Sequence, residues 1–518
     1  MSTATIETPV ARTEPRSVAG GRERLRDVLV IALPCALAAA LVLYELATRS
    51  LWLDESASVA ISAQHGAALW SAIARDGGNM LGYYLLLHAV TGLFGHAPAV
   101  IRAPSALATV GTVAIVCLIG RRLLHRRAAL AAGLLTAVSL PLVFWGQDAR
   151  SYALMVMFIA GSFLAFIELV DGTGSTWVWL AYAASSVLAI YMSFVAALVI
   201  PAQLLSLLWR RDRVRAVGSA LALIAACSVP IAVLAVHRGS SQLFWVPPPS
   251  LKRIGEMARW LTSSGMPPNF HRTATGTVLL VLSLAVLAAA LVAVVRVRGE
   301  RSERWAVVLI ASWLVIPIVL FLAESFAGQP VALARSSIVA LPAVALLIAW
   351  ALTRPRIPGW LGLAVLAVLL ALRALQLGPS YGTSPENWKG ATQYVLARSQ
   401  ASDCVAFYPA DGRMAFDYYL PSATRLTPVL PAVPWAQIRP YVERYAAPAS
   451  SQLMRIEAGC PRLWLIASHQ GQRDGPPASR VNYARYLTLL HSLAGAYPRH
   501  ETKAFGWASP VRVELLTR

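Results

Sequence analysis

Apolar residues in this chain gather into long blocks separated by short, arginine-bearing turns. Most blocks run roughly 18 to 23 residues, the length that crosses a hydrocarbon core as helix. Read in order, they predict about eleven spans, near 28–48, 99–120, 128–146, 152–170, 177–191, 193–209, 216–236, 275–295, 305–323, 337–353 and 358–377. The apolar stretch 79–95, with Tyr83, Tyr84 and His88, stands outside the series. Counting it as a span would put the arginines of 121–127 on the opposite side from the other clusters. It is therefore predicted to lie in, or dip into, the outer interface. After Leu377 the pattern changes to polar turns with short β-type runs, Asp403–Tyr408 and Arg462–Ala467, and a helix-like segment Trp388–Arg398. These features predict a small α/β domain over 378–518. Residues 1–27 open without an apolar run and read as a disordered cytoplasmic tail, leaving 28–377 as the membrane domain. The expected fold class is an all-α polytopic membrane protein with a small C-terminal extracytoplasmic α/β domain.

Composition agrees with that pattern. Mean hydropathy is +0.58, and hydrophobic residues make up 57% against 14% charged. An ordinary soluble domain is excluded. The net charge of +20 raises the question of nucleic acid. The arginines, however, come in short runs between apolar blocks and do not line one soluble face, so no nucleic-acid partner is expected. Arg22, Arg24 and Arg26; Arg121, Arg122, Arg126 and Arg127; Arg210, Arg211, Arg213 and Arg215; Arg296, Arg298, Arg301 and Arg304; and Arg354 and Arg356 all fall in one alternate set of loops. With that set in the cytoplasm, 49–98 is the first outer loop. The segments 147–151, 237–274 and 324–336 and the tail after 378 then lie outside. The expected location is the plasma membrane, multi-pass. Cys404 and Cys460 both fall in the outer tail, each beside a predicted strand. An oxidising compartment permits a disulfide between them, with two solitary thiols as the alternative.

Two outer turns carry candidate chemistry. The first, Leu51-Trp-Leu-Asp54-Glu55-Ser-Ala-Ser58, sets two adjacent carboxylates at the membrane surface. Neighbours on a helix point about 100° apart, so one acid can face a cavity while the other makes structural bonds. The ordinary alternative is that Asp54 caps a helix beginning near Glu55. The second, Phe144-Trp-Gly-Gln147-Asp148-Ala-Arg150-Ser-Tyr152, gathers an amide, an acid, a guanidinium and a phenol where burial is costly. Either Asp148 and Arg150 pair to close the turn, or the acid helps hold a metal or acceptor hydroxyl while Arg150 binds phosphate oxygens.

The ordered set Trp52-Leu-Asp54-Glu55-x-x-Ser58, Tyr83-Tyr84-Leu-Leu-Leu-His88, Ile101-Arg102-Ala-Pro104-Ser105 and Gln147-Asp148-Ala-Arg150-x-Tyr152 resembles the polytopic GT-C glycosyltransferases, in the branch of the protein O-mannosyltransferases and aminoarabinose transferases. The resemblance covers residues 28–210 in motif terms and the remainder by layout. It implies a GT-C-like membrane domain that moves a sugar, with inversion, from a polyprenyl-phosphate donor to an envelope glycan, glycolipid or protein acceptor. Mannose and arabinose are the expected sugars by analogy. It further implies Asp54 as catalytic base beside Glu55, Asp148 as second acid and Arg150 as donor-phosphate contact; Arg335, just outside a span, reads either as a second, weaker phosphate contact or as an arginine snorkelling at the interface. Gln147, Tyr152, Tyr83 and Asn79 are expected to line the substrate cavity. A divalent ion, Mg or Mn, held by Asp54 and Asp148 is the implied cofactor. The chain departs from the family at Asn79-Met80-Leu81-Gly82, where members carry His-Pro-Pro-Leu, and at Glu386-Asn387-Trp388-Lys389 in place of Glu-Asp-Trp-Arg. No catalytic role is assigned to Glu386. The rival reading is a transporter or flippase of lipid-linked precursors, which many spans and a buried charge pair would also serve.

Overall fold

The computed structural model describes residues 18–172, 175–238, 246, 248–266, 274–297, 300–328, 331–382, 384–421, 423–431, 448–475, 477–507 and 509–518. The helices are α1 Val18–Leu43, α2 Leu53–Ser62, α3 Gly66–Arg75, α4 Leu81–Phe94, α5 Pro98–Leu123, α6 Arg126–Ala137, α7 Leu140–Gly146, α8 Tyr152–Asp171, α9 Thr176–Met192, α10 Ile200–Ser206, α11 Val214–Arg238, α12 Leu251–Thr262, α13 Ala274–Val295, α14 Arg301–Ala327, α15 Leu341–Leu352 and α16 Gly359–Tyr381. Helix α1 opens at Val18, so part of the expected tail is helical, and residues 1–17 lie outside the described residues.

Among the described residues, eight helices are long and apolar enough to cross a membrane, or nine when a bent pair counts as one span. The expected count of about eleven is corrected accordingly. The predicted span 128–146 is the bent pair, α6 and α7, which meet at 57°. Pro141 at the start of α7 has no N–H to give to a preceding turn, and the helix breaks there. The predicted span 177–191 is the 17-residue α9, about 25 Å long and short of a full crossing. The predicted span 193–209 is a 3-10 turn, α10 and a second 3-10 turn in succession. The stretch 79–95 forms the 14-residue α4, about 21 Å, too short to span, as its placement outside the series requires.

Beyond α16 the chain adds α17 Trp388–Arg398, α18 Gly412–Tyr419, α19 Ser450–Gly459 and α20 Pro477–Ala494 around strands β1 Cys404–Tyr408, β2 Thr427–Leu430, β3 Arg462–Ala467, β4 Arg499–Phe505 and β5 Val511–Thr517. The sheet order is β2-β1-β3-β5-β4. β1 runs parallel to β2 and β3, while β5 runs antiparallel to β3 and β4. Both faces are covered: Leu463, Leu465 and Tyr486 bury on one side, Trp388, Phe407 and Trp464 on the other. Burial on both faces explains why β1 and β3 are apolar runs without alternation. Cys404 and Cys460 are disulfide-bonded, with Cα atoms 5.8 Å apart.

This domain sits directly on the segments that flank α2 and α5. The Tyr418 hydroxyl donates to the His96 carbonyl at 2.7 Å, and the Tyr419 hydroxyl accepts the Leu51 N–H at 2.7 Å. The segment leading into α2 is therefore covered from above by the α/β domain and from below by the membrane bundle.

Candidate active site

Helix α2 begins at Leu53, two residues earlier than a cap at Asp54 would require, and Trp52 at its N-cap makes no side-chain capping bond. Asp54 and Glu55 occupy the first turn, where carboxylates favour the helix dipole. Their helical offset sends them to opposite surroundings. Asp54 is a third exposed, and its Oδ2 faces two guanidinium groups, Arg335 Nη1 at 3.3 Å and Arg150 Nη2 at 3.5 Å. Arg150 also donates from Nη1 to the Asp54 carbonyl at 3.2 Å and to Ser58 Oγ at 3.3 Å. Arg335 enters from the 3-10 turn Ala334–Ala340, with its guanidinium 5.9 Å from the centre of the Tyr152 ring.

Glu55 is fully buried. Its oxygens take the Arg102 fork, Nε to Oε1 at 2.7 Å and Nη2 to Oε2 at 2.8 Å, and Oε1 accepts the Ala149 N–H at 2.9 Å. Arg102 Nη1 spends its donors on the carbonyls of Leu46 and Arg49. Burial works against the Glu55 charge, but Arg102 outweighs it and holds the carboxyl below its ordinary range. Asp148 is likewise fully buried and does not pair with Arg150; both its oxygens lie 3.0 Å from Trp52 Nε1. Burial first, then the Glu55 charge, pushes Asp148 well above the ordinary carboxyl range, so it keeps its proton beside an ionised Glu55. This gives a signed pH dependence. Upward from about pH 4, the folded protein retains a proton that the unfolded chain releases, so the Asp148 contribution lowers stability as pH rises. Asp148→Asn mimics the neutral acid and should flatten that decline, read as thermal midpoints of both proteins across the pH range in one detergent.

Arg150 is the permanent cation of the site. Burial alone would pull it down, but Asp54, Tyr84, Tyr152 and Asp76 together hold it well above its ordinary value. Its Nε is buried and donates to no described residue.

The structure thus brings Asp54, Arg150, Arg335 and Tyr152 together, and turns the other sequence-derived residues elsewhere. The Gln147 amide donates to the carbonyls of Val42 and Tyr44, tying down the end of α1. Tyr83 is fully buried with its hydroxyl 3.5 Å from the Ile101 carbonyl. Asn79 sits in the turn before α4 with a buried Oδ1 that meets no partner among the described residues. Four residues without an assigned role prove central to the geometry. Arg102 fixes Glu55, Trp52 satisfies Asp148, Tyr84 donates to Asp76 Oδ2 at 2.9 Å beside Arg150, and Glu386 accepts the Leu53 N–H at 3.1 Å. Trp52, Tyr84 and Arg102 stand in the ordered motifs and Glu386 follows the last span, but nothing in the sequence shows these contacts.

The residues do not fit a divalent ion shared by Asp54 and Asp148. The Asp148 oxygens face an indole N–H and Glu55, and the Asp54 carboxylate is flanked by two guanidinium groups. Among the described residues, no three His, Cys, Asp or Glu gather as a metal would need.

An acid and two arginines thus meet at one end of a multi-span membrane bundle, beside an α/β domain. Residues 77–237 match the model of the family described as dolichyl-phosphate-mannose-protein mannosyltransferase. The fold is similar to that of ArnT from Cupriavidus metallidurans bound to undecaprenyl phosphate. That match has a TM-score of 0.58 and 13% identity, and covers 94% of this chain and 98% of that one. The archaeal oligosaccharyltransferase AglB from Archaeoglobus fulgidus, in complex with an inhibitory peptide and a dolichol-phosphate, matches with a TM-score of 0.54 and 9% identity over 93% of this chain and 73% of that one. At such identities these likenesses speak for the fold. Among curated proteins, none matches the chain by sequence. The chain thus shares the fold of these membrane glycosyltransferases, and its segment 77–237 matches the mannosyltransferase family model.

Proposed function

We propose that the enzyme transfers a sugar, mannose or arabinose, from a polyprenyl-phosphate donor to an extracytoplasmic glycan, glycolipid or protein of the cell envelope, with inversion at the anomeric carbon. The observation that carries this reading is the convergence of Asp54 with Arg150 and Arg335. Its setting supports a lipid donor. Helix α12 packs against the 3-10 turn bearing Arg335. Beside it an apolar hollow of about 370 Å³ is lined by Ala258, Leu261, Leu284, Leu287, Leu291 and Leu314. An isoprenoid chain lying in that hollow would run along the helix that packs on the Arg335 turn. The ligands of the similar structures, undecaprenyl phosphate and dolichol-phosphate, favour the same class, and the description of the matching family favours mannose. The arginine-rich loops on one side and the disulfide in the α/β domain favour an outside position for site and domain.

In this reading the donor phosphate takes over the guanidinium groups, using the free Nε edge of Arg150, and loosens their hold on Asp54. The acceptor oxygen then attacks the anomeric carbon as the bond to the phosphate oxygen breaks. Asp54 takes the acceptor proton, and polyprenyl phosphate departs as an anion neutralised by the arginines. Glu55 and Asp148 serve this step from within, by fixing α2 and the outer turn. Arg150→Ala should weaken donor binding, and Arg150→Lys should restore part of it, since a point charge cannot reproduce a fork. Titration with a polyprenyl-phosphate sugar checks this; unchanged donor affinity in Arg150→Ala removes the phosphate assignment.

A further inference from the structure

Residues 50–53, which lead directly into Asp54, are held by the α/β domain through main-chain and side-chain bonds. Ser384 Oγ donates to the Ser50 carbonyl at 3.1 Å, and Ser50 Oγ accepts the Lys389 N–H at 3.0 Å. Leu53 packs against the domain core that contains Trp388 and Phe416. The fully buried Glu386 completes the attachment. Its Oε2 accepts the Leu53 N–H at 3.1 Å and the Trp388 Nε1–H at 2.5 Å, while Oε1 meets His469 Nε2 at 2.5 Å.

Leu53 contributes the first N–H of α2, one of the donors that a helix start leaves unmet. Trp52 offers no oxygen to cap it, so the cap comes from a carboxylate 333 positions away. From the opposite side Trp52 is pinned to Asp148. The direction in which Asp54 leaves the first turn is therefore set between two anchors, one in the membrane domain and one in the α/β domain.

We propose that Glu386 is a positioning residue for the transfer reaction: by capping α2 from the α/β domain it holds Asp54 in the geometry that takes the acceptor proton. This rests on the reading of Asp54 as the base. It gives the α/β domain a part in turnover beyond covering the site. Arg150 and Arg335 are carried by other elements, the outer turn and the 3-10 turn, so donor binding should be nearly independent of Glu386.

Glu386→Ala should lower kcat by about 10- to 100-fold, the scale of a displacement near 1 Å, with donor KM changed by less than about threefold. Glu386→Gln keeps an acceptor oxygen for the Leu53 and Trp388 N–H groups and should recover most of the loss. In an Asp54→Asn background Glu386→Ala should add little, because both changes remove the same contribution. If the alanine variant does not accumulate in the membrane, Glu386→Asp, one methylene short of Leu53, takes its place. Unchanged kcat, an equal loss in the Asp54→Asn background, or no recovery by glutamine would overturn the proposal. An inactive Asp54→Asn beside a fully active Glu386→Ala would sink this inference alone. A fully active Asp54→Asn would sink the base assignment beneath it.

Discussion

Asp54→Asn should leave a folded, membrane-inserted protein whose turnover falls by about 10² to 10⁴, with a much smaller change in donor affinity. Asparagine fills the same volume and can still meet Arg150 and Arg335 through its carbonyl oxygen, so α2 has no reason to unwind. What it cannot do is accept a proton. The asymmetry between Asp54 and its neighbour makes the prediction specific. Glu55 is as acidic in sequence, but both its oxygens are engaged by Arg102 and the Ala149 N–H in a fully buried site. It has no oxygen to offer a substrate. Kinetics of sugar transfer with saturating donor check this, and a variant that turns over at the parent rate would remove Asp54 from the chemistry.

The largest expected effect on stability is at Arg102. Arg102→Leu strands an ionised Glu55 with neither exposure nor counter-ion, and loss of one member of a buried pair costs about 3 to 5 kcal/mol. The pair joins α2 to the start of α5, so the penalty falls on the seam between the outer loop and the bundle. Combining Arg102→Leu with Glu55→Gln should return much of the loss, because the stranded charge is removed while the Ala149 N–H keeps its acceptor. Unfolding of the three variants in one detergent gives the comparison. Equal stability of Arg102→Leu and the parent would show that the pair is not what holds the seam.

Much of this architecture was legible in the residues. Blocks of apolar length gave the long spans, and the arginine clusters distinguished α4 from them before any coordinates, since α4 is too short to cross. The apolar runs at 403–408 and 462–467 and the segment Trp388–Arg398 fell where β1, β3 and α17 lie. The overcount of spans has a local cause. Block length cannot register the bend before Pro141, nor the 3-10 turns flanking α10 that interrupt one apolar run.

At the site, adjacency of Asp54 and Glu55 correctly implied two different environments. It could not say which acid is buried, because that depends on Arg102, 47 positions on. Proximity in sequence left open whether Asp148 and Arg150 pair. The natural pairing within one turn is replaced by Asp148 with Trp52 and Arg150 with Asp54, two contacts across 96 positions. The capping contact of Glu386 was hidden for the same reason: its partners, Leu53 and His469, come from two remote segments. Long-range hydrogen bonds of this kind leave no periodicity or spacing in one sequence.

The central claim, transfer from a lipid phosphate, is tested most directly in liposomes holding the purified protein and an envelope acceptor fraction. Polyprenyl-phosphate mannose and polyprenyl-phosphate arabinose, each radiolabelled in the sugar, are supplied in parallel from the outer side. The geometry at Asp54, Arg150 and Arg335 requires label to pass from one of these lipids to the acceptor with release of polyprenyl phosphate, and Asp54→Asn to lose that transfer. Failure of the parent protein to move label from either lipid, or equal transfer by Asp54→Asn, would contradict it.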